Sequence, residues 1–434
     1  MSSTSVLEGK MQAVGLDDLA FPHPEKMAHG NAPLVISPLE KELFSVIRKH
    51  GEITKPDLVD HLPYSRSKIN GCINSLLKKE FIRAIGAGDY TGGRRSIKFS
   101  VNGERGLLAG VDIGATSIDL ALTDLAGKLI ARYGEPGNVQ IGPRSVLSRV
   151  CTLLDQMISG KGQDKNRLLG IGIGVPGPVD NKLGMLVSPP IMPGWDAFPI
   201  IDAIQENFPC TKVMVDNDVN VMAWGEKLSG AGKDTQNLMF IKIGTGIGAG
   251  IICHGEIYRG SNGCAGDIGH ILVKKDGPMC HCGNTGCLEA MASGPAIADQ
   301  GTRAALEGKS PILLKYYEAG GQKLRAEDVG YAAGEGDPVS IEIIRSSGQM
   351  VGGVLAGLVN FFNPGLILIG GGVSGIGNLF LSSIRQVVLT RSLPLATRNL
   401  RIDYSSSGQD SGVTGAISLA LEDLFSVEGV LDVQ

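Results

Sequence analysis

The chain lacks any stretch of eighteen apolar residues, which excludes a helix that spans a bilayer. Its first residues, MSSTSVLEGKMQAVGLDDLAFPHPEK, hold no basic segment followed by a continuous apolar core, so no secretory leader is expected. The expected location is therefore cytoplasmic, with no membrane partner. Eight cysteines in 434 residues are too few for a disulfide scaffold. An excess of one charge is also missing. The 40 Lys and Arg face 44 Asp and Glu, a net −4, and this balance draws the chain to neither nucleic acid nor membrane. Glycine is abundant at 62 residues but does not follow the three-residue period of collagen.

What the sequence does contain is material for large cores. Apolar residues make up 43% and charged residues 19%, which excludes a mostly disordered chain, and the length suits two to three domains. Charge is unevenly spread. Between Ser37 and Gly103 there are 12 Lys and Arg against 7 Asp and Glu, so the remainder is correspondingly acidic. A small basic module joined to a larger acidic body is the expectation.

Residues 1–36 carry scattered Gly and Pro without periodicity and read as a flexible tail. A helical pattern then begins. Leu39, Leu43, Val46 and Ile47 share one face, with Pro38 near the start and Gly51 just past the end. A second short helix is expected from about Thr54, with Leu58 and Leu62 as its apolar positions. A third, Ser65 to Leu77, has the stripe Ile69, Cys72, Ile73, Leu76 and Leu77 and a polar face of Arg66, Ser67, Lys68 and Asn70. A hairpin follows whose glycine-rich tip holds Arg94 and Arg95. Three short helices and a basic hairpin over 37–103 make a winged helix-turn-helix. Its third helix offers short polar and cationic side chains to base edges, and the wing arginines can reach phosphates or the minor groove. The plainer alternative is a small helical module that binds protein, its arginines simply solvated.

From Leu107 the texture changes to strand, glycine turn, strand. LLAGVDIGATSIDLALTDLAGKLIARY reads as three strands with turns at Gly114 and at Leu125–Ala126–Gly127. A helix from about Arg144 to Ile158 and the strand Leu168–Gly172 follow. Further on, LMFIKIGTGIGAGIICHGEIYRG and GLILIGGGVSG each run a buried strand into a glycine loop. This alternation predicts an α/β body, too long for one compact lobe, hence two lobes around a cleft.

Four constellations carry chemistry. Asp112-Ile113-Gly114-Ala115-Thr116 sits at a tight turn where backbone N–H groups can approach a phosphate, Thr116 can donate, and Asp112 can orient a hydrated magnesium ion. Gly244-Thr245-Gly246 and Gly370-Gly371-Gly372 are two further glycine loops, and three such loops far apart in the chain suggest a nucleotide held between lobes. A glycine-rich bend in a sheet is the bland reading. Asp218 stands at a strand end over the expected cleft, placed as a general base toward a hydroxyl, with Asn217 beside it. Either residue equally suits a helix cap. Finally His270 precedes Cys280, Cys282 and Cys287 in a C-x-C-x4-C array, three thiolates and an imidazole that match a structural tetrahedral zinc. His281 is a strained competitor between two of these cysteines. If His270 ligates through one nitrogen, the other can donate to a substrate hydroxyl. Glu289 follows the last cysteine and would be set against the cleft.

From Leu107 onward the chain resembles the repressor–ORF–kinase (ROK) family of sugar kinases and sugar-responsive regulators. The motifs that carry this are VDIGAT, VPGPVD, PGW, DNDVNVMAWGE, IGTGIGAG, GDIGHILV, CHCGNTGCLEAMAS and ILIGGGVS. With the winged helix included, the resemblance covers about nine-tenths of the chain. It implies an α/β, two-lobed, actin- and hexokinase-like body over 104–434, its smaller lobe about 104–222 with a C-terminal helix at about 412–426, its larger lobe about 223–411. It further implies Asp218 as catalytic base and Asn217, Asp218, Gly246, Asp267, His270 and Glu289 around a sugar. Asp112, Gly114 and Thr116, then Gly244, Thr245 and Gly246, then Gly370, Gly371 and Gly372, would hold ATP and Mg2+. His270, Cys280, Cys282 and Cys287 would hold Zn2+.

Three positions depart from the family pattern. Asp267 stands where kinases commonly carry Glu, Ile191 where a sugar-binding Asn is usual, and Ser117 and Asp119 where basic residues often follow the first loop. A carboxylate facing ATP phosphates would be unfavourable. The expected function is a sugar-responsive regulator, a repressor, that binds operator DNA and takes a sugar or sugar phosphate as effector. An assembly of at least two chains, a homodimer or homotetramer, is implied because one winged helix reads few base pairs. The alternative is an ATP-dependent sugar kinase carrying a DNA-binding module.

Overall fold

The computed structural model describes residues 36–87, 96–408 and 410–424. The expected tail, apart from Ile36, and the wing-tip residues Arg94 and Arg95 lie outside the described residues. No helix among the described residues is long and apolar enough to cross a membrane.

The first helix, α1 (Pro38–His50), begins where its sequence dictates. Ser37 and Glu40 exchange backbone and side-chain hydrogen bonds in a capping box, Pro38 occupies the first turn, and Gly51 at φ 72° ends the helix. A short strand, β1 (Ile53–Thr54), precedes α2 (Lys55–His61), and Thr54 caps that helix instead of opening it. Next come α3 (Arg66–Lys78), capped by Ser65, and the strands β2 (Ile82–Ala87) and β3 (Ile97–Val101). The strand order β1-β3-β2 closes a small sheet under the helices. Leu43, Phe44, Ile47, Ile69, Leu76 and Phe81 form its fully buried core. Burial raises the Glu40 carboxyl, but hydrogen bonds from Ser75, Ser37 and Lys79 overcome this and bring it down to about 2.

In the body, β4 (Leu107–Ile113), β5 (Ser117–Asp124) and β6 (Leu129–Pro136) form an antiparallel meander. Then follow α4 (Pro143–Gly160), β7 (Leu168–Val175), β8 (Val179–Asp180), β9 (Met185–Leu186), α5 (Ile200–Gln205) and β10 (Lys212–Asn217). The resulting sheet has the order β10-β7-β4-β5-β6, with β7 parallel to both β4 and β10. Strand β10 feeds directly into α6 (Asp218–Leu228). The expected lobe boundary between 222 and 223 falls inside this helix.

The second sheet is built from β11 (Leu238–Ile243), β12 (Ile247–Cys253) and β13 (Glu256–Ile257). The helices α7 (Leu288–Ala292), α8 (Gly294–Leu306), α9 (Pro311–Ala319), α10 (Ala326–Gly334) and α11 (Pro338–Phe362) intervene before β14 (Leu366–Gly370). After α12 (Asn378–Arg391) and α13 (Pro394–Thr397), β15 (Arg401–Tyr404) completes the order β13-β12-β11-β14-β15. The last helix, α14 (Asp410–Leu424), returns to pack on β4, β7 and α6. Glycine makes this close approach feasible. A Cβ on Gly172 would collide with the Ala416 carbonyl, and one on Gly415 with the Val221 carbonyl.

Helix α1 also touches the body. The Arg48 guanidinium is buried against the turn after β5, beside Gly127 and Asp124.

Candidate functional site

The ends of β4, β10, β11 and β14 converge on one cleft of about 1430 Å³. That exceeds the few hundred to about 1,000 Å³ of an ordinary single-ligand pocket. All three glycine loops line it: Gly114–Thr116 between β4 and β5, Gly244–Gly246 between β11 and β12, and Gly370–Gly372 at the end of β14. Asn217, Asp218, Asp267, His270 and Glu289 line it too, as does Ile191. Residues as far apart in sequence as Asp112 and Gly372 are thus brought around one space. At Gly371, φ is 89° and a side chain would press on the Ile243 carbonyl, so glycine is required for the turn.

Asn217 is the N-cap of α6. Its Oδ1 accepts from the backbone N–H of Val219 and Asn220, and its Nδ2 donates to the Gly177 carbonyl at 2.9 Å. The capping role is therefore occupied by Asn217, leaving the carboxylate of Asp218, the first residue of the helix, for another partner. That partner is Lys242. Its Nζ lies 2.5 Å from Asp218 Oδ2. Burial disfavours the ammonium, yet Asp218 and Asp112 hold its pKa above the ordinary lysine value. Sequence reading passed over Lys242, although one charged residue in the otherwise apolar strand LMFIKI was a usable signal.

The direction of Asp119 is decided by register. In the antiparallel β4–β5 pair Asp112 stands directly opposite Asp119, so both side chains project from the same face, and both line the cleft. Burial pushes the Asp112 carboxyl up to about 7; Lys242 opposes this, while Asp218 and Asp119 add repulsion. Asp112 Oδ1 is buried with no hydrogen-bond partner. An acceptor of that kind, beside two other carboxylates and the loops, fits a hydrated divalent cation carried by a nucleotide.

One residue before Asn217, the buried Asp216 is clamped from the other lobe. Arg259, just beyond β13, donates Nε and Nη2 to Asp216 Oδ2 at 2.9 and 2.7 Å, while Asp216 Oδ1 accepts from Asn217 N and Asn220 Nδ2. This pair too escaped the sequence reading.

At one side of the cleft His270, Cys280, Cys282 and Cys287 present ligand atoms that all lie within 4.8 Å of one another. Cys280 Sγ is 3.6 Å from His270 Nδ1, and Cys282 Sγ is 3.7 Å from Cys287 Sγ. Zinc bonds of about 2.0–2.3 Å to nitrogen and sulfur give tetrahedral edges of roughly 3.5–3.8 Å, so the group can hold a metal ion. Burial pushes the Cys280 thiol up to about 12, while a backbone hydrogen bond at Asn284 draws Cys282 down to about 7. His281 is exposed and outside the group. With Nδ1 of His270 turned to the cysteines, the ring's other nitrogen is left for the cleft. Glu289 Oε2 accepts from Ile247 N at 3.1 Å, which ties the segment after the cysteines to the second glycine loop. All eight cysteines are free thiols.

Away from the cleft, Arg66, Ser67 and Lys68 are exposed along the first turn of α3 and Asn70 is half-buried.

Residues 108–423 match the ROK family. A glucokinase of Halalkalibacterium halodurans is 37% identical over 322 residues, 74% of this chain and 96% of that protein. A xylose repressor of Bacillus subtilis is 29% identical over 386 residues, 88% of this chain and 94% of the repressor. An alignment of that length cannot fit after Gly103, so the likeness to the repressor runs into the N-terminal module. A solved ROK family transcriptional regulator, a homolog of the E. coli MLC protein, matches with a TM-score of 0.77 at 27% identity, covering 89% of this chain and 96% of that one. The two-lobed α/β fold behind a small N-terminal helical module is therefore shared with a regulator. Motifs, fold and family match agree over most of the length: the chain belongs to the ROK family.

Proposed function

We infer that this protein is a sugar-responsive transcriptional repressor. The observation that carries the reading is the union of two parts in one chain: a helix-turn-helix module with an exposed polar first turn on α3, and a ROK body whose cleft retains Asn217, Asp218, His270 and Glu289. Similarity to a repressor across 88% of the chain supports it. Arg66, Ser67, Lys68 and Asn70 would meet base edges and phosphates of an operator, with Arg94 and Arg95 on the wing. A sugar or sugar phosphate would sit against Asn217, Asp218, Gly246, Asp267, His270 and Glu289. Two chains would engage two half-sites. Zinc on His270, Cys280, Cys282 and Cys287 would hold the loop that presents His270 and Glu289 to the sugar. Sugar binding would draw the lobes together and alter how the DNA-binding modules are held.

Selection of binding duplexes from random DNA, followed by anisotropy titration with a panel of sugars and sugar phosphates, tests this reading. Enrichment of a sequence with two half-sites, released by one sugar class, is the expected result. No sequence-selective enrichment, or unaltered operator affinity after removal of residues 1–103, would overturn it.

A second reading, an ATP-dependent sugar kinase, is favoured by one observation: all three glycine loops and Asp112 line the same cleft as Asp218. Bound Mg·ATP would supply the phosphoryl group, with Asp112, Gly114, Thr116, Gly244–Gly246 and Gly370–Gly372 around it. Asp218 would then accept the proton of the attacking sugar hydroxyl. Asn217 would keep the start of α6, and so Asp218, in register with that hydroxyl.

A further inference from the structure

Lys242 is the one charged residue of β11, and its side chain lines the cleft and meets Asp218. Its Nζ meets Asp218 Oδ2 at 2.5 Å, with the lysine side chain 20% exposed and the aspartate side chain 5% exposed. Lys242 lies two residues before Gly244, on the strand that delivers the second glycine loop, whereas Asp218 opens the helix that faces the proposed sugar. The ion pair therefore spans the join between the sugar side and the nucleotide side. Asp112, also close enough to interact with the ammonium, closes the cluster.

We propose that Lys242 makes this cleft bind its sugar without phosphorylating it. The proposal rests on the reading of Asp218 as a sugar-contacting carboxylate. In the transfer, the sugar O–H bond breaks with its proton going to Asp218. A new O–P bond forms, and the bond between the γ-phosphorus and the bridging oxygen breaks, leaving its electron pair on ADP. With the Lys242 ammonium on Asp218 Oδ2, that oxygen is already engaged and is not open to take the hydroxyl proton. The same ammonium supplies, from the protein, positive charge among Asp112, Asp119 and Asp218 that would otherwise recruit a metal ion with the nucleotide. Oδ1 of Asp218 remains to accept a hydrogen bond from a sugar hydroxyl, so recognition survives while transfer is suppressed. A sensor that consumed its effector would erase its own signal; Lys242 is a positioning residue that prevents this.

The test uses the full chain as wild type, Lys242→Thr, Lys242→Arg and Lys242→Thr combined with Asp218→Asn. Sugar-dependent ADP release from Mg·ATP and sugar affinity by calorimetry are measured over hexoses, pentoses and N-acetylhexosamines. Wild type and Lys242→Arg are expected to show no turnover above the background of the double variant. Lys242→Thr is expected to exceed that background by about tenfold or more, with sugar affinity within about threefold of wild type, and to lose the excess in the double variant. Wild-type turnover equal to that of Lys242→Thr would overturn the proposal. So would a Lys242→Thr chain that binds sugar and nucleotide yet gains nothing. Lys242→Met, which keeps the stem length and removes only the charge, serves the same comparison if the threonine variant unfolds. Absence of sugar binding in every variant would overturn the reading of the cleft itself, and the proposal with it.

Discussion

Arg259 clamps Asp216 through two hydrogen bonds, of 2.9 and 2.7 Å, joining the loop after β13 to the strand that delivers Asn217 and Asp218. Asp216 is 1% exposed, and its hydrogen bonds come from this partner and from the N–H donors of Asn217 and Asn220. Arg259→Ala leaves a buried carboxylate short of its cation. Because the arginine side chain is 33% exposed, the loss is discounted to about 1–3 kcal/mol in urea unfolding. Sugar affinity should fall as well, since Asn217 and Asp218 lose their anchor. An unchanged unfolding midpoint would show that solvent replaces the clamp.

The proposed zinc site discriminates between two neighbouring histidines. Metal analysis of the purified protein should find about one zinc per chain, a four-ligand structural site. His270→Ala and Cys282→Ser should lose it and melt at lower temperature, whereas His281→Ala should retain it. Retention by His270→Ala with loss in His281→Ala would reverse the ligand assignment.

On α3, Lys68→Ala should weaken DNA binding on all sequences and flatten the salt dependence by about one counterion. Arg66→Ala, if that side chain reaches a base, should cost about 1–3 kcal/mol and relax preference at one position. Affinity untouched by both changes would move the DNA face elsewhere.

Glu422, half-buried on α14, gives a pH-dependent prediction. Burial raises its carboxyl to about 7, with Lys41 of α1 and Arg259 opposing and Glu256 adding repulsion. The folded value lies above the ordinary 4.5, so the folded chain binds this proton more tightly. Its contribution is fully present below pH 4.5 and is lost as pH rises through about 7. Between about pH 5 and pH 8 the melting temperature should fall more for wild type than for Glu422→Gln. Parallel curves for the two proteins would exclude Glu422 as the titrating group.

Much of the architecture was legible because it is written locally. Periodicity marked α1 and α3, with Pro38 and Gly51 bounding the first, and glycine at strand ends marked the three loops. The C-x-C-x4-C array stood out because thiolates at that spacing within one short loop have few other uses. What escaped were pairings between distant segments. Lys242 with Asp218, Arg259 with Asp216 and Arg48 beside Asp124 are separated by 24, 43 and 76 positions, and no periodicity connects them. The direction of Asp119 likewise depends on strand register, since a shift of one residue would turn its carboxylate to the opposite face.

By itself the sequence determined many of the helices, strands and glycine loops, because those depend on residues a few positions apart. It also contained the set of chemical groups: carboxylates, a thiolate and imidazole cluster, and a basic N-terminal module. Only the tertiary structure decided how those groups are partnered. Folding delivers Asp218 on a helix from one sheet and Lys242 on a strand of the other, and only their meeting makes the ion pair. Whether a carboxylate over a cleft is a free base or half of an ion pair is set by distance and burial, and those exist only once the two sheets have closed on each other.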